Sequence, residues 1–320
     1  VRLLVTGGAG YVGSVVTALL LGEGHEVTVL DDLSTGHADA VPEGARLVVA
    51  DLHEAADVLD PSVDAVLHFA AKSLVGESVT APEKYWRTNV SGTLALLEAA
   101  LRHGVRRLVF SSSAAAYGDP GSDAPIGETA PAVPANPYGA TKLAVDHMLE
   151  SWSGAHGLGA VSLRYFNVAG AHLGAGERHD TETHLVPNLL RVAAGGGGSA
   201  KVFGTDYPTR DGTAVRDYLH VADLAEAHLR ALEHVRPGSF RVHNLGTGGG
   251  HSVREVIEAV RRVTGRPVPV EDAPRRAGDP AVLVAANDRA RRELGWEPVR
   301  TLDETVTDAW EFALSRRAPA

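Results

Sequence analysis

Apolar residues along this chain follow two rhythms. Short unbroken runs occur at Leu3-Leu4-Val5 and near 27–30, 47–50, 64–68 and 107–111. Their length and content suit strands buried on both faces. Between them, stretches near 11–22 and 85–103 read as helices. A further helix is expected from 138 to about 156, followed by a strand at 160–165. This β–α alternation predicts an α/β fold built on a doubly wound parallel sheet.

The second half has a different texture. Proline, glycine and charged residues are denser from about 168 to 215, and Gly195 to Ser199 reads as a flexible surface loop. Helices are expected to return at 220–234, 252–264 and 302–314, with a strand at Val242-His243-Asn244-Leu245. We therefore expect a first domain over 1–168 and a smaller C-terminal α/β lobe over 169–320, with 214–245 a candidate to return to the first. No internal repeat is visible.

Composition excludes more than it selects. The 320 residues are 44% hydrophobic and 22% charged, ordinary for a globular chain. A net charge of −10 gives no reason to expect a nucleic-acid partner or an anionic membrane surface. No apolar run approaches a membrane span. There is no cysteine, which removes disulfides, thiolate catalysis and thiolate metal ligands. His172, His179 and His184 are loosely grouped, but their spacing does not match a metal site, and none is expected. The chain opens into a strand and not a leader, so a cytoplasmic location is expected.

The first apolar run is followed by Thr6-Gly7-Gly8-Ala9-Gly10-Tyr11-Val12-Gly13. Strand, glycine turn and helix in that order form the context a dinucleotide fingerprint requires. Glycines allow a tight turn and let the backbone approach a pyrophosphate, whose charge meets free N–H groups at the helix start. The second run ends in Asp31-Asp32, placed to bind adenosine ribose hydroxyls. No arginine or lysine follows at once to hold a 2′-phosphate, which favours NAD over NADP.

Tyr138 and Lys142 stand four apart at the head of a helix, and so share a face. A free phenol titrates near ~10 and is a poor base at neutral pH. A fixed positive charge lowers that value, and a shift of about 3 units corresponds to roughly 4 kcal/mol, within reach of one lysine plus a cationic nicotinamide. Lysine is scarce here, occurring at 72, 84, 142 and 201. Ser113 follows the run Leu108-Val109-Phe110 and should emerge at the carboxyl end of that strand, where ligands of such sheets bind.

Together these features resemble the extended short-chain dehydrogenase/reductase family, and within it the enzymes that interconvert UDP-glucose and UDP-galactose. The likeness runs nearly end to end. It includes His68-Phe69-Ala70-Ala71, Val75-Gly76-Glu77-Ser78, Ser111 through Gly118, and Arg164-Tyr165-Phe166-Asn167. It closes with Asp211 through Tyr218, Pro274 through Asp279, and Leu294-Gly295-Trp296. The resemblance implies a Rossmann-type sheet holding NAD and a C-terminal lobe holding a UDP-sugar. It implies reversible C4 epimerisation through a 4-keto intermediate, in a homodimer built through helices of the first lobe.

The resemblance also assigns roles. Ser113, Tyr138 and Lys142 are implied as catalytic. Gly7, Gly10, Tyr11 and Val12 are implied to line the pyrophosphate, and Asp31 the ribose. Asp51 and Leu52 would flank the adenine. Phe69, Ala70, Ala71, Ser73, Thr88, Ser111 and Phe166 would complete the cofactor site with Tyr138 and Lys142. Asn167, His184, Leu185, Lys201, Val202, Phe203, Arg216, Arg276, Asp279 and Leu283 would hold the sugar nucleotide with Ser113 and Tyr138. Two arginines suit a diphosphate, because guanidinium pairs well with phosphate oxygens.

Some positions depart from the pattern. Ser73 stands where relatives often carry a lysine, with Lys72 one residue earlier. Thr88-Asn89 replaces a pair of asparagines, and His184 replaces another. Dehydratases of the family use an Asp-Glu pair where this chain has Ala114-Ala115, so water elimination lacks its side chains. A simple dehydrogenase, a 4-epimerase of another UDP-sugar, and a silent NAD-sensing module stay open as alternatives. The last would be expected to lose Tyr138 or Lys142. At the position that limits room for a 2-N-acetyl group stands Leu283, intermediate in size. UDP-glucose and UDP-galactose are thus the expected main pair.

Overall fold

The computed structural model describes residues 1–179, 181–276 and 279–316. Seven parallel strands form its central sheet: β1 (Arg2–Thr6), β2 (Glu26–Asp31), β3 (Arg46–Val49), β4 (Ala65–His68), β5 (Arg107–Ser113), β6 (Gly159–Tyr165) and β7 (Phe240–Leu245). They lie in the order β7-β6-β5-β4-β1-β2-β3. Chain direction across the sheet reverses between β1 and β4, which opens a crevice at their carboxyl ends.

The unbroken apolar runs are explained by helices on both faces. Leu3 and Val5 point to one side, where α1 (Tyr11–Gly22) and α4 (Val221–His234) supply Val15, Val16, Leu20 and Leu224. Leu4, Val66 and Leu108 point to the other, against Leu96 of α2 (Thr93–His103) and Val145 and Leu149 of α3 (Pro137–His156). Alternate residues of one strand thus enter two separate cores.

After β6 the chain leaves the sheet, then returns as α4 and β7, which adds the edge strand beside β6. The excursion and the C-terminal segment make a smaller lobe. Helices Leu185–Ala193, Val253–Thr264 and Leu302–Ser315 share a third core around Leu189, Val256, Val260 and Trp310. Short strands complete it. Ala200–Phe203 pairs with Val270–Ala273, and Val215–Arg216 lies between His251–Ser252 and Val282–Leu283.

The stretch expected as one helix over 85–103 is interrupted. Trp86–Gly92 forms a π-helical turn before α2 begins. The extra residue per turn inserts the Asn89 amide into the core, where it receives the Lys72 N–H at 2.8 Å and donates to the Lys72 carbonyl and Thr141 Oγ1, each at 3.0 Å. Among the described residues no helix is long and apolar enough to cross a membrane.

Candidate active site

A cleft of about 1080 Å³ runs across the carboxyl ends of β1, β4, β5 and β6 and under the smaller lobe. One end is the glycine turn. Gly7 adopts φ +73°, and a Cβ there would stand 2.5 Å from the Ala70 nitrogen. A Cβ on Gly13 would stand 2.2 Å from the Gly7 carbonyl oxygen. Only glycine permits this approach of turn, helix and neighbouring strand. Gly10 begins α1 with no side-chain cap, so a ligand can take up the first-turn N–H groups.

Asp31 ends β2 and faces the same space. Its carboxylate accepts from the N–H groups of Ala9 and Leu33, both at 2.9 Å. Burial raises its pKa, against the lowering by those two hydrogen bonds. Asp51 caps the short 3₁₀ turn Leu52–Glu54 and accepts from the His53 N–H at 2.9 Å. Across the cleft, Lys72 Nζ donates to Ser34 Oγ at 2.7 Å. The ammonium therefore sits at the Asp31 side of the cleft. A loop-borne side chain crossing the cleft leaves no periodic trace, so only contact geometry reveals it.

The catalytic candidates meet at the end of β5. Asn136 caps α3, accepting from the Gly139 N–H at 2.9 Å, with Pro137 in its first turn. This start presents Tyr138, Lys142 and Asp146 on one face at successive intervals of four. Lys142 Nζ donates to the Ser111 carbonyl at 2.7 Å and stands 5.8 Å from the centre of the Tyr138 ring. Tyr85 meets the Tyr138 ring edge-on at 6.4 Å. The Ser113 hydroxyl accepts from the Ala115 N–H at 3.1 Å and lies close enough to the Tyr138 phenol to lower its pKa.

The electrostatics differ from the expectation that lysine lowers the phenol. Burial raises the Tyr138 pKa, and the opposing contribution comes from the Ser113 hydroxyl. Lys142 is itself brought down to about 7 by burial, with Asp146 opposing. Burial disfavours the Lys142 ammonium, its proton points at the Ser111 carbonyl, and it does not figure among the causes of the Tyr138 shift. The protein's own groups thus leave Tyr138 a proton donor at neutral pH, and its activation requires a further positive charge in the cleft.

Asp146 was not anticipated. It takes two hydrogen bonds from Arg164, at 2.9 and 2.7 Å, and one from Ser162 at 2.5 Å, all buried. His68 is also held. Thr93 gives its proton to the Asn89 carbonyl at 2.6 Å, so His68 Nε2 donates to Thr93 at 2.8 Å and Nδ1 accepts from Thr6 at 2.6 Å. Burial, with the Lys142 charge added, lowers the His68 pKa to about 3, which keeps the ring neutral. Tyr165 lines the cleft and hydrogen-bonds Ser111.

Nearly all residues proposed from the sequence line this one cleft: Gly7, Gly10, Tyr11, Val12, Asp31, Asp51, Leu52, Phe69, Ala70, Ala71, Ser73, Thr88, Ser111, Ser113, Tyr138, Lys142 and Phe166 on the sheet side, and Asn167, His184, Leu185, Lys201, Phe203, Arg216, Arg276, Asp279 and Leu283 on the lobe side. Val202 is a correction. Alternation along Ala200–Phe203 turns it away from the cleft and into the third core, with 1% of its surface exposed. Arg276 stacks on the Phe203 ring at 4.1 Å, and Arg216 lies 3.5 Å from Asp279. Strand register sets Leu283 opposite Arg216. Ala277 and Gly278, between the two halves of that wall, lie outside the described residues.

Comparison with known proteins adds independent findings. A profile of the NAD dependent epimerase/dehydratase family matches residues 3–246. A UDP-glucose 4-epimerase of Streptomyces lividans is 58% identical over 97% of this chain and 95% of that protein. Another, from Corynebacterium glutamicum, is 53% identical over all of this chain and 98% of its own length. Among solved structures, a UDP-glucose-4-epimerase from Stenotrophomonas maltophila with bound NAD and formylated UDP-arabinopyranose superposes with a TM-score of 0.94. It is 43% identical and covers 99% of both chains.

Proposed function

The chain belongs to the NAD-dependent epimerase/dehydratase family, and on that premise we propose that it interconverts UDP-glucose and UDP-galactose at C4. The observation that carries this reading is the single cleft. A glycine turn suited to a dinucleotide, a Tyr–Lys pair with a serine, and two arginines suited to a diphosphate all open onto it.

NAD fits the first part of that cleft, because the turn at Gly7 and Gly13 has no room for side chains and the first turn of α1 lacks a side-chain cap. Gly7, Gly10, Tyr11 and Val12 would hold its pyrophosphate, Asp31 its adenosine ribose, and Asp51 and Leu52 its adenine. Phe69, Ala70, Ala71, Ser73, Thr88, Ser111 and Phe166 would border the rest. The carboxylate of Asp31 would repel a 2′-phosphate. Bound NAD supplies a hydride acceptor at C4 of the sugar and a positive ring beside Tyr138.

Tyr138 takes the proton of the sugar 4-hydroxyl and later returns it. Ser113, beside the phenol, orients that hydroxyl and can relay the proton. Lys142 would hold the nicotinamide ribose, fixed by the Ser111 carbonyl. Arg216 and Arg276 clamp the diphosphate of UDP, with Asn167, His184, Leu185, Lys201, Phe203 and Asp279 around it. The 4-keto sugar can then turn over while the nucleotide stays in place. Ala114 and Ala115 leave no acid–base pair for dehydration.

We read the sheet with its helices as the cofactor domain and the smaller lobe as the sugar-nucleotide domain. Trp86 and Leu94 stay exposed on the helical layer beside α3, which supports a homodimer formed through that layer. A cytoplasmic location is consistent with this chemistry.

The test is to incubate the purified protein with UDP-galactose and no added cofactor. UDP-glucose is the expected product. Its absence with and without added NAD rejects the reading.

A further inference from the structure

We propose that Glu177, His179, Glu182 and His184 form a binding site for one divalent transition-metal ion, with zinc the best chemical match. One donor atom from each side chain lies within 4.8 Å of all the others. The four come from eight successive positions ahead of the helix Leu185–Ala193, in the spacing Glu-x-His-x-x-Glu-x-His. This replaces the looser grouping of His172, His179 and His184 read from the sequence. His172 belongs elsewhere, on the short strand Ala171–His172, while two carboxylates take its place.

The existing contacts already resemble a coordination shell. His184 Nδ1 stands 2.7 Å from Glu182 Oε1 and 3.8 Å from Glu177 Oε2. His179 Nδ1 pairs with the same Glu177. The two imidazole rings are 5.5 Å apart and tilted by 32°. Four ligands at roughly 2.0–2.2 Å from a tetrahedral zinc are about 3.3–3.6 Å from one another. The observed separations bracket that range, so closing on an ion spreads one pair and draws another together.

Charge argues the same way. The Glu177 and Glu182 side chains are only 12% and 17% exposed. Among the described residues they have no lysine or arginine partner, since the Arg178 guanidinium turns away to Asp39 at 3.0 Å. Their partners are instead His179 and His184, which a divalent ion would convert from proton donors into ligands while neutralising the two carboxylates. Mixed imidazole and carboxylate donors suit zinc, whereas magnesium and calcium favour oxygen-only shells.

Four protein ligands leave no open position, which marks a structural and not a catalytic ion. Its place in the fold fits. The loop crosses from the smaller lobe to the cofactor side, where His37 Nε2 donates to the Arg178 carbonyl at 3.0 Å. A second cavity, of about 210 Å³, is bordered by Tyr11, Glu177, His179 and Glu182. The ion would close that loop on itself beside the start of α1.

His184 also borders the cleft, so the readouts are metal content and stability, which are measured without turnover. The full-length protein is treated with a chelator, gel-filtered, loaded with zinc chloride alone, and analysed for metal. About one zinc per chain is expected, with a higher thermal midpoint than the stripped protein. His179→Ala and Glu182→Gln should each weaken zinc binding at least about tenfold, and His172→Ala should leave it unchanged. Should His179→Ala fail to fold, Glu182→Gln carries the test. In the unaltered protein, cobalt(II) should give the intense visible bands of tetrahedral coordination. Less than about one-tenth of a zinc per chain, equal retention by Glu182→Gln, or octahedral cobalt overturns the proposal.

Discussion

Lys142 donates from Nζ to the carbonyl oxygen of Ser111 at 2.7 Å. This bond ties the middle of α3 to the end of β5 and aims a buried amine along the floor of the cleft. The Phe110 ring lies 4.9 Å beneath the amine, and Asp146 stands one turn further along the helix. The same amine cannot make Tyr138 basic unaided, because burial brings its own pKa down to about 7. A charge arriving with the cofactor is what the account requires.

Replacing Tyr138 with phenylalanine removes the proton acceptor and keeps the ring that packs edge-on against Tyr85. Tyr138→Phe should keep its NAD and lose at least ~10²-fold in kcat, the low end for loss of a general base. Absorbance of the released cofactor and a coupled UDP-glucose assay report the two quantities. Near-normal turnover would remove Tyr138 from its role.

Lys142 gives stability a definite pH dependence. Its pKa falls from the ordinary 10.5 to about 7 on folding, through burial. Between those values the unfolded chain holds a proton that the folded chain has released, so raising the pH favours folding. Below both, the cost of burying the ammonium is fully present. With cofactor removed from both proteins, Lys142→Met should therefore be more stable than the parent at pH 6. The gap should narrow steadily toward pH 10, as read from urea midpoints. A constant gap would show that the amine is not desolvated on folding.

Asp146 and Arg164 are 3% and 7% exposed. Removing one partner strands the other as a buried charge, so Asp146→Ala should cost about 3–5 kcal/mol in denaturant unfolding. Joint replacement by Asp146→Leu and Arg164→Met should recover most of that loss. A loss below about 1 kcal/mol in the single variant would mean that Arg164 is rehydrated.

Leu283 lines the cleft opposite Arg216. The parent should turn over UDP-GlcNAc weakly beside UDP-glucose and UDP-galactose. Leu283→Gly should raise the relative kcat/KM for the acetylated pair by about tenfold or more, the scale of a few methylenes in a pocket. Leu283→Tyr should abolish it and leave UDP-galactose turnover. Equal or better turnover of the acetylated pair by the parent contradicts the assignment.

The sequence was most legible where the physics is local. Runs such as Leu3-Leu4-Val5 become strands because sheet burial on both faces demands them. The glycine turn, Asp31 and the Tyr138–Lys142 interval announce themselves through short-range geometry. What escaped depends on through-space meetings. Asp146 finds Arg164 across two elements, Lys72 reaches Ser34 across the cleft, and Glu177 and Glu182 join the histidines only when their loop folds back. Strands as short as Val215–Arg216 and Val282–Leu283 carry no readable period. Val202 failed for a simpler reason: a strand that lines a cleft does so with alternate residues only.

The most direct test of the central claim follows the hydrogen at C4. UDP-galactose carrying deuterium at that carbon is incubated with the purified protein in ordinary water without added cofactor. The UDP-glucose formed is then analysed by mass spectrometry and NMR. Hydride removal and return within one closed cleft predicts that the deuterium stays at C4 of the product. Loss of the label to solvent, or release of a keto sugar in place of UDP-glucose, would contradict it.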